Sequence, residues 1–519
     1  MPLDRDDRRS QAPPLSSDLM RALAEIEDRF PVARWHIAGV PIWPLLRLRW
    51  FFAEWARHYA AASGAAPASA GAHVRRIAAG ALAQARAARE DVAATDHGAR
   101  RRDIVFLSDG LSFGLLGGAW VERFCDPLIA IARQRGLTSA LWTPSRLHQR
   151  PRLTPSCFVQ AGIDRANLAG ALRAKLAPRP AHLPERERVE AWLGRAGHGH
   201  DALRVGCIES DGCRLRSVAD HFRRALDVAR PSLAFVVSYY GLEGMAFVLA
   251  CREAGILVVD LQHGVQGDMH PAYARWPRPD AGVHALLPDR FWVWSSWEED
   301  VVAQWSKGTR HAPIVGGNPW LEVWRDGSGW PGVAAASEAA SGLRQRADGR
   351  PVVLTTLQYG LDPAEQMQPL AAVMRIAASR LVFWVRLHPA MLERREEIRG
   401  LLEAAGPFEL DLPSDLPLQA LLPRADVHLT HSSSTVIEAA QFGIHSVLTT
   451  DYGRELFGPL LASGDATVAV GGAQVLVDEL DRSIAQRRGR SRDMPQSQVE
   501  AAFDRLAGDA RKARAEKRS

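Results

Sequence analysis

The sequence predicts an α/β protein with two parallel-sheet domains and a helical segment before them. Short apolar runs that end in small or polar residues alternate with helical stretches over residues 103–319, and again over residues 351–451. Such runs are typical of parallel strands that helices cover on both faces. A Gly/Pro/Ser-rich stretch at residues 326–338 separates the two series. Two such domains predict a cleft between them, with binding loops at the carboxyl ends of the strands.

Each element of this prediction rests on a local pattern. Leu19, Leu23 and Ile26 repeat at helical spacing behind Ser17, which can cap the helix, and residues 72–94 are rich in alanine. The predicted strands of the first domain lie at residues 103–110, 139–142, 233–241, 255–264 and 290–295. Those of the second domain lie at residues 351–360, 381–389, 423–430 and 445–451. The predicted boundaries are a helical extension at 1–100, a first domain at 101–325, a linker at 326–345, a second domain at 346–486 and a basic helical tail at 487–519.

Composition limits the class of protein. Hydrophobic residues make up 47% and charged residues 24% of 519 residues, which is ordinary for a folded chain and excludes disordered, collagen-like and coiled-coil classes. The net charge is only +5, so we predict no nucleic-acid partner. Five cysteines without a CxxC pair argue against a disulfide framework and a cysteine zinc site.

A cytoplasmic location follows from the absence of an apolar signal core near the N-terminus and from the cysteine pattern. No apolar run reaches the ~18 residues that span a bilayer, and Arg47, Arg49 and Glu54 interrupt the nearest one, at residues 40–56. Its Trp, Arg and Phe content would also suit an interfacial helix. Peripheral association with the inner membrane, or with a polysaccharide-assembly complex, therefore stays open.

The strongest local motif is a run of hydroxyls between a strand and a helix. Ser432, Ser433, Ser434 and Thr435 end the strand at 423–430 and open the next helix. Hydroxyls and free amides at a helix N-terminus bind phosphate, because the helix dipole and the donors converge there. One serine would suffice for capping alone. Glu438, one turn along, could hold a ribose hydroxyl or bond within the helix.

A histidine follows an apolar strand in each domain. In the second domain, Arg386, His388 and Pro389 end the strand as RLHP, and a histidine there could donate to a phosphate. In the first domain, His263 follows the strand in LQHG, where Gly264 would allow a tight turn. A histidine titrating near neutrality suits a general base, although a structural loop histidine is the alternative.

Further candidates surround His263. His270 shares its loop, and Trp276 behind it is a candidate for contacting an acceptor sugar. His263 and His270 lack a convincing third ligand, so we predict no metal site. Tyr240, Glu243 and Asp109 follow other strand ends, and the two carboxylates are placed to take a proton.

The order LQHG (261–264), RLHP (386–389) and ADVHLTHSSSTVIEAA (425–440) resembles the motifs of GT-B glycosyltransferases that build bacterial surface polysaccharides. The pattern is similar to that of capsule polysaccharide biosynthesis proteins, with CDP-glycerol glycerophosphotransferases and CMP-sialic acid or CMP-Kdo transferases as relatives. The resemblance covers residues 230–455 and implies a GT-B-like fold with two Rossmann-type domains facing a cleft.

The resemblance also implies roles. Arg386, His388, Pro389, Ser432, Ser433, Ser434, Thr435 and Glu438 would bind the donor, favouring a CMP- or CDP-linked sugar, with no metal and no further cofactor. His263 would face the reaction centre, with Gln262, Gly264, His270 and Tyr240 on the side of an oligosaccharide or lipid-linked glycan acceptor. Bacterial sialyltransferases of this fold carry an acidic D/E-D/E-G motif where Gln262 and His263 precede the glycine here, which disfavours a sialic acid donor. His263, Glu243 and Asp109 remain alternative bases.

Two rival functions are compatible with the same motifs. A UDP-sugar 2-epimerase would grip the donor phosphates in the same way but would need no acceptor. A degenerate transferase could instead act as a non-catalytic scaffold of a polysaccharide-assembly complex.

Overall fold

The computed structural model describes residues 16–63, 100–144, 150–176, 181–277, 283–325, 329–359, 361, 363–487 and 497–516. The predicted helix at 72–94 and parts of the predicted tail, 488–496 and 517–519, lie outside these residues. The chain divides into two compact units. Unit 1 comprises Met1–Phe113, Ala119–Pro319 and Gln498–Ser519, and unit 2 comprises Gly114–Gly118 and Trp320–Ser497.

The strands are short and match the predicted apolar runs. In chain order they are β1 His36–Ile37, β2 Val40–Pro41, β3 Ile104–Leu107, β4 Phe113–Leu116, β5 Ala119–Glu122, β6 Ser139–Thr143, β7 Ser156–Phe158, β8 Ala181–His182, β9 Leu233–Val237, β10 Leu257–Leu261, β11 Arg290–Val293, β12 Ala312–Val315, β13 Val352–Thr356, β14 Val382–Arg386, β15 Phe408–Glu409, β16 Val427–Thr430, β17 Ser446–Leu448 and β18 Ala466–Val468.

The helices connect these strands. In chain order they are α1 Ser16–Arg29, α2 Trp43–Ser63, α3 Cys125–Gln134, α4 Gln160–Leu176, α5 Arg186–Arg195, α6 Val205–Ala229, α7 Leu242–Ala254, α8 Ser296–Ser306, α9 Pro319–Arg325, α10 Val333–Gln345, α11 Pro363–Ala377, α12 Arg395–Glu403, α13 Asp411–Asp415, α14 Leu418–Leu421, α15 Thr435–Gln441, α16 Tyr452–Leu456, α17 Gly458–Ala462, α18 Ala473–Arg487 and α19 Val499–Glu516. Short 3-10 turns lie at Val32–Arg34, Asp201–Leu203, Val283–Leu286, Pro389–Arg394 and Leu422–Arg424.

Unit 1 is built on a seven-stranded parallel sheet in the order β12-β11-β10-β9-β3-β6-β7. All residues of β3 and β9 are buried, because helices cover both faces. The chain winds outward in opposite directions from β3 and β9, so the strand order reverses between them. Ligands of open α/β sheets bind outside the carboxyl ends of the strands at such a reversal.

Unit 2 repeats this plan with a six-stranded parallel sheet in the order β15-β14-β13-β16-β17-β18. Here the strand order reverses between β13 and β16. The predicted fold class, two Rossmann-type parallel-sheet units with a helical N-terminal segment, is confirmed.

The N-terminal helices belong to the core of unit 1. Leu19, Leu23 and Ile26 of α1 are fully buried there, as the helical spacing predicts. The far end of the chain also packs on this unit, since Phe503 of α19 stacks on Phe235 of β9 at 6.3 Å and Arg135 bonds to Glu500 and Asp504. 

Some elements differ from the sequence prediction. Part of the segment predicted to be the linker forms α10, Val333–Gln345, because its alanine-rich sequence favours a helix. The glycine-rich loop after β3 contains the strands β4 and β5.

Candidate functional site

His263 follows β10 and is held on both sides of its ring. Its Nδ1 lies 3.3 Å from the Leu261 carbonyl oxygen, and its Nε2 lies 2.9 Å from the Tyr240 hydroxyl. A carbonyl can only accept, so Nδ1 carries the proton and Nε2 accepts from Tyr240. The Tyr240 ring stacks on the imidazole at 5.6 Å. The imidazole is therefore oriented, with its basic nitrogen toward Tyr240.

Burial keeps this histidine neutral. Desolvation lowers the pKa of His263 below its usual range, although the nearby charge of Asp109 raises it in part and Arg123 lowers it further. The pKa of neighbouring His270 falls to about 3, again through burial, with smaller contributions from His263 and Arg47. Both imidazoles are unprotonated at neutral pH, which is the state that a general base requires.

The loop after His263 forms an aromatic cluster around Tyr240. His270 lies 5.1 Å from the Tyr240 ring and 4.9 Å from the Tyr273 ring, and its Nδ1 accepts from the Ala272 amide at 3.2 Å. Phe52 of α2 packs on both Tyr240 and His270, at 6.3 and 5.9 Å. The predicted acceptor-side residues His270 and Tyr240 are thus brought together with His263.

Gln262 and Gly264 differ from the prediction. Gln262 is fully buried: its Nε2 donates to the Gly264 carbonyl and to Glu298 Oε1, and its Oε1 accepts from the Trp294 amide. It therefore fixes the loop and offers no atom to an acceptor. Gly264 does not have a positive φ, and an added Cβ would meet no atom within 4 Å, so the proposed need for glycine at this turn is wrong.

Asp109 and Glu243 line one cavity of about 310 Å³ in unit 1. The cavity opens at the strand reversal, with Ser108 and Asp109 following β3 and Ser238 following β9. Burial raises the pKa of Glu243, assisted by Asp164, while Gln160 and Arg214 lower it. The structure thus brings the two predicted carboxylates together, and Asp109 also acts electrostatically on His263.

Asp260, the one polar residue of the apolar strand β10, lies beneath this region. It is fully buried, and the Tyr239 amide donates to its Oδ1 at 3.1 Å. Burial raises its pKa to about 8, against the lowering effect of Tyr239, Tyr273 and Gln266. The carboxyl therefore holds its proton at neutral pH and supports the Tyr239–Tyr240 turn. A lone carboxylate in an apolar strand is the signal that could have identified it.

Arg47 of α2 ties the N-terminal segment to the His270 loop. Its side chain is 1% exposed, and its Nε lies 3.0 Å from Glu27 Oε1, which is also buried. Its guanidinium donates to the carbonyls of Pro271, Ala274 and Arg275 and lies 4.1 Å over the Trp276 ring. Trp276, predicted to contact an acceptor, is 3% exposed beneath this guanidinium, so that prediction is wrong.

In unit 2, the hydroxyl run lies at the reversal between β13 and β16. Ser432 is buried, and its amide donates to Gln358 Oε1 at 2.7 Å. Ser434 is exposed and its side chain caps nothing. The helix α15 has only seven residues, and the Val436 and Ile437 amides already bond to the carbonyls of Ser433 and Ser434. The hydroxyls, rather than free helix amides, are therefore the donors on offer.

Thr435 belongs to a buried polar network instead. Its Oγ1 lies 3.0 Å from Thr356 Oγ1 and 3.3 Å from His428 Nε2. His428 Nδ1 in turn lies 2.9 Å from Ser446 Oγ, and burial lowers the pKa of His428 to about 3. These contacts link the ends of β13, β16 and the start of α15 beneath the serines.

His388 and Tyr359 form an exposed aromatic pair next to the hydroxyl run. Their rings stack at 5.9 Å, and Tyr359 is 67% exposed. His388 Nδ1 accepts from the Ala390 amide at 3.2 Å, where Pro389 opens a 3-10 turn, so Nε2 is its N–H donor. Gln358 and Tyr359, which sequence reasoning missed, follow the predicted strand end in TTLQY.

Arg386 and Glu438 have protein partners. Arg386 Nη1 donates to the carbonyls of Pro413 and Leu416, so it holds the loop beside β14, unlike the predicted phosphate contact. Glu438 Oε1 accepts from Gln419 Nε2 at 2.6 Å, a contact between α15 and α14 that differs from both predicted roles.

Two negative findings concern the described residues only. They contain no group of three or more His, Cys, Asp or Glu side chains arranged to hold a metal ion. None of their helices is both long and apolar enough to cross a membrane.

No protein-family model matches the chain, and no curated protein matches it. Solved structures with a similar fold include UDP-GlcNAc 2-epimerase from Neisseria meningitidis bound to UDP-GlcNAc, at 14% identity and TM-score 0.49, covering 79% of this chain and 99% of that chain. The UDP-GlcNAc 2-epimerase from Methanocaldococcus jannaschii has 11% identity and TM-score 0.47, with 78% and 99% covered. A ugt transferase from Siraitia grosvenorii in complex with UDP has 11% identity and TM-score 0.46, with 79% and 99% covered. The fold assignment rests on the strand order of the two parallel sheets.

Proposed function

We propose that the protein is a glycosyltransferase that moves a sugar, or a polyol phosphate, from a nucleotide donor to an acceptor hydroxyl of a surface glycan. One observation carries the proposal: each unit gathers reactive polar side chains at the reversal point of its sheet, where α/β proteins bind ligands. One set contains a neutral, oriented base and the other contains hydroxyl and imidazole donors.

The donor side is assigned to unit 2. The hydroxyls of Ser433 and Ser434 and the Nε2–H of His388 would donate to the phosphate, and Tyr359 offers an exposed ring for the base. A CMP- or CDP-linked donor is favoured by the motif resemblance. Neutral donors of this kind need no bound metal, so we expect turnover to persist in the presence of a chelator.

The acceptor side is assigned to unit 1. As the bond from the acceptor oxygen to the transferred group forms, the bond to the nucleotide phosphate breaks and the acceptor proton must leave. His263 Nε2 would receive it, either directly or through Tyr240, whose hydroxyl already donates to that nitrogen. Glu243 and Asp109 are the alternative bases. An oligosaccharide or lipid-linked glycan would supply the acceptor hydroxyl.

Thermal unfolding with a panel of CMP, CDP and UDP tests the donor assignment. A ligand at 100 times its Kd stabilises the native state by about 2.7 kcal/mol, so the melting temperature rises. His388→Ala should reduce this rise and abolish turnover, while the melting temperature without nucleotide stays unchanged because His388 is exposed. If none of the nucleotides stabilises the protein, the transferase proposal loses its support.

Product analysis separates the rival functions. A transferase forms a glycosylated product only when acceptor is present, whereas a UDP-sugar 2-epimerase converts its nucleotide sugar without one. A scaffold would show neither product. The assay with and without acceptor therefore assigns one of the three functions.

A further inference from the structure

The cavity of unit 1 has the features of a built ligand site. Its volume of about 310 Å³ is at the lower end of the roughly 300–1,000 Å³ of small-molecule pockets, which fits one ring better than several. Leu107, Ile163, Val236 and Leu242 supply apolar walls. Polar groups reach it from β3, β9, α4, α6 and α7, so long-range packing assembles it.

Two glycines allow the walls to approach. At Gly170 of α4, an added Cβ would lie 2.5 Å from the Arg214 Cα of α6, so the two helices touch at that point. This contact brings Asn167 and Arg214 to one cavity. At Gly244, an added Cβ would lie 2.6 Å from the Tyr239 carbonyl oxygen, so α7 packs tightly against the turn that follows β9.

The backbone of that turn is strained. Ser238 has φ +62°, a conformation that costs a serine about 1–3 kcal/mol and that clusters at ligand sites. The same turn carries Tyr240 to His263, while Ser238 itself lines the cavity. The cavity and the proposed base therefore share one rigid segment.

Hydrogen-bonding capacity in the cavity is left over. Asn167 Oδ1 is buried and has no hydrogen-bond partner. Asp109 Oδ2 accepts one hydrogen bond, from Ser112 Oγ at 2.9 Å, and a carboxylate oxygen can accept two. Arg214 lies 3.8 Å from Asp211, a long separation that leaves guanidinium donors for a ligand. Several acceptors and a few donors around apolar walls suit a ligand rich in hydroxyls.

The charges select against an acidic ligand. Asp109 and Glu243 line the cavity and Asp164 lies beside Glu243, while Arg214 is the cation among the lining residues. A carboxylate or phosphate on the ligand would face this excess of negative charge.

We propose that this cavity binds a single neutral hexopyranose, with Asn167, Asp109, Glu243 and Arg214 bonding its hydroxyls. This assignment rests on the proposed function, in which the ring is the acceptor sugar and the turn 238–241 presents its hydroxyl to Tyr240 and His263. It adds the chemical class of the acceptor, a neutral sugar rather than a uronic or ulosonic acid.

Saturation-transfer NMR on the full-length protein tests this, with D-galactose, N-acetyl-D-glucosamine and D-glucuronate as probes. We expect saturation transfer to at least one neutral sugar and a Kd for glucuronate that is at least fivefold higher. Asn167→Leu should weaken neutral-sugar binding roughly five- to twentyfold, because one buried hydrogen bond is lost. The control Leu168→Asn changes the neighbouring, 62% exposed position on the same helix and should leave the Kd unchanged.

The proposal is overturned if neither neutral sugar binds, if glucuronate binds more tightly, or if folded Asn167→Leu keeps the wild-type Kd. If Asn167→Leu does not fold, Glu243→Gln decides, since it should weaken neutral-sugar binding and reduce the discrimination against glucuronate. CMP and CDP binding on the same samples reports on unit 2. Nucleotide binding without sugar binding overturns the cavity alone, and sugar binding without nucleotide binding overturns the donor assignment alone.

Discussion

The two strand-end histidines lie in opposite environments. His263 in unit 1 is bonded through both ring nitrogens and kept neutral by burial. His388 in unit 2 is exposed, is bonded to the Ala390 amide through Nδ1 and stacks on an exposed tyrosine. A group that takes a proton benefits from a fixed protonation state, whereas a group that binds a charged ligand must be reachable. The same residue type at equivalent strand ends is thus suited to two different tasks.

Replacing His263 should break this comparison most severely. Loss of a general base costs roughly 10²–10⁴-fold in turnover, so we expect a kcat decrease of that size in His263→Ala. Tyr240→Phe keeps the stacked ring and removes one hydrogen bond, with roughly a tenfold loss expected. Nucleotide binding, measured by calorimetry, should stay the same in both variants. Wild-type turnover in His263→Ala would instead favour Glu243 or Asp109 as base.

The rigidity of unit 1 depends on Arg47. Arg47→Met leaves the buried Glu27 carboxylate unpaired, which costs about 3–5 kcal/mol of unfolding free energy. Urea denaturation measures this loss, and the double variant Arg47→Met/Glu27→Gln should recover part of it. A loss below about 1 kcal/mol would show that the pair contributes little, as exposed ion pairs do.

Acid should reveal a buried histidine in unit 2 as well, beneath the exposed site. The pKa of His428 is about 3 in the folded state, below its usual range, because the ring is fully buried. Between pH ~6.5 and ~3 the unfolded chain binds the additional proton, so stability falls as pH falls, by up to about 1.4 kcal/mol per pH unit from this group. His428→Gln should remove that contribution from urea curves recorded at pH 7, 6, 5 and 4. An unchanged pH slope would contradict the assignment.

The smallest effect should separate two neighbouring serines. Ser434 is exposed and caps nothing, so Ser434→Ala should weaken nucleotide binding roughly three- to tenfold with stability unchanged. Ser432 is buried against Gln358, so Ser432→Ala should cost about 1 kcal/mol of stability instead. Calorimetric titration with CDP and urea denaturation of both variants measure the pair. Equal effects on nucleotide affinity and stability would contradict the division.

The sequence predicts the parts of this architecture that depend on local pattern. Apolar runs located both sheets, and strand ends located His263, Asp109 and the serine run. What it missed depends on packing between distant segments. Gln262 and Gly264 stood beside a candidate base, but the burial of Gln262 against Glu298 follows from α8.

The same reason applies to the cavity and to the N-terminal segment. Asn167 and Arg214 share a cavity only because Gly170 lets α4 and α6 touch. Arg47 reads as a charge interrupting an apolar helix until its partners, Glu27 and the carbonyls of residues 271–275, are known. Neither grouping leaves a spacing pattern in the chain.

The return of α19 to unit 1 has a consequence for biosynthesis. A ribosome makes all of unit 2 before it makes the helix whose Phe503 stacks on the central strand of unit 1. Domains fold during synthesis as their segments emerge. Unit 2 can therefore reach its final fold while unit 1 still lacks a piece of its sheet covering. The unit that begins first along the chain is completed last.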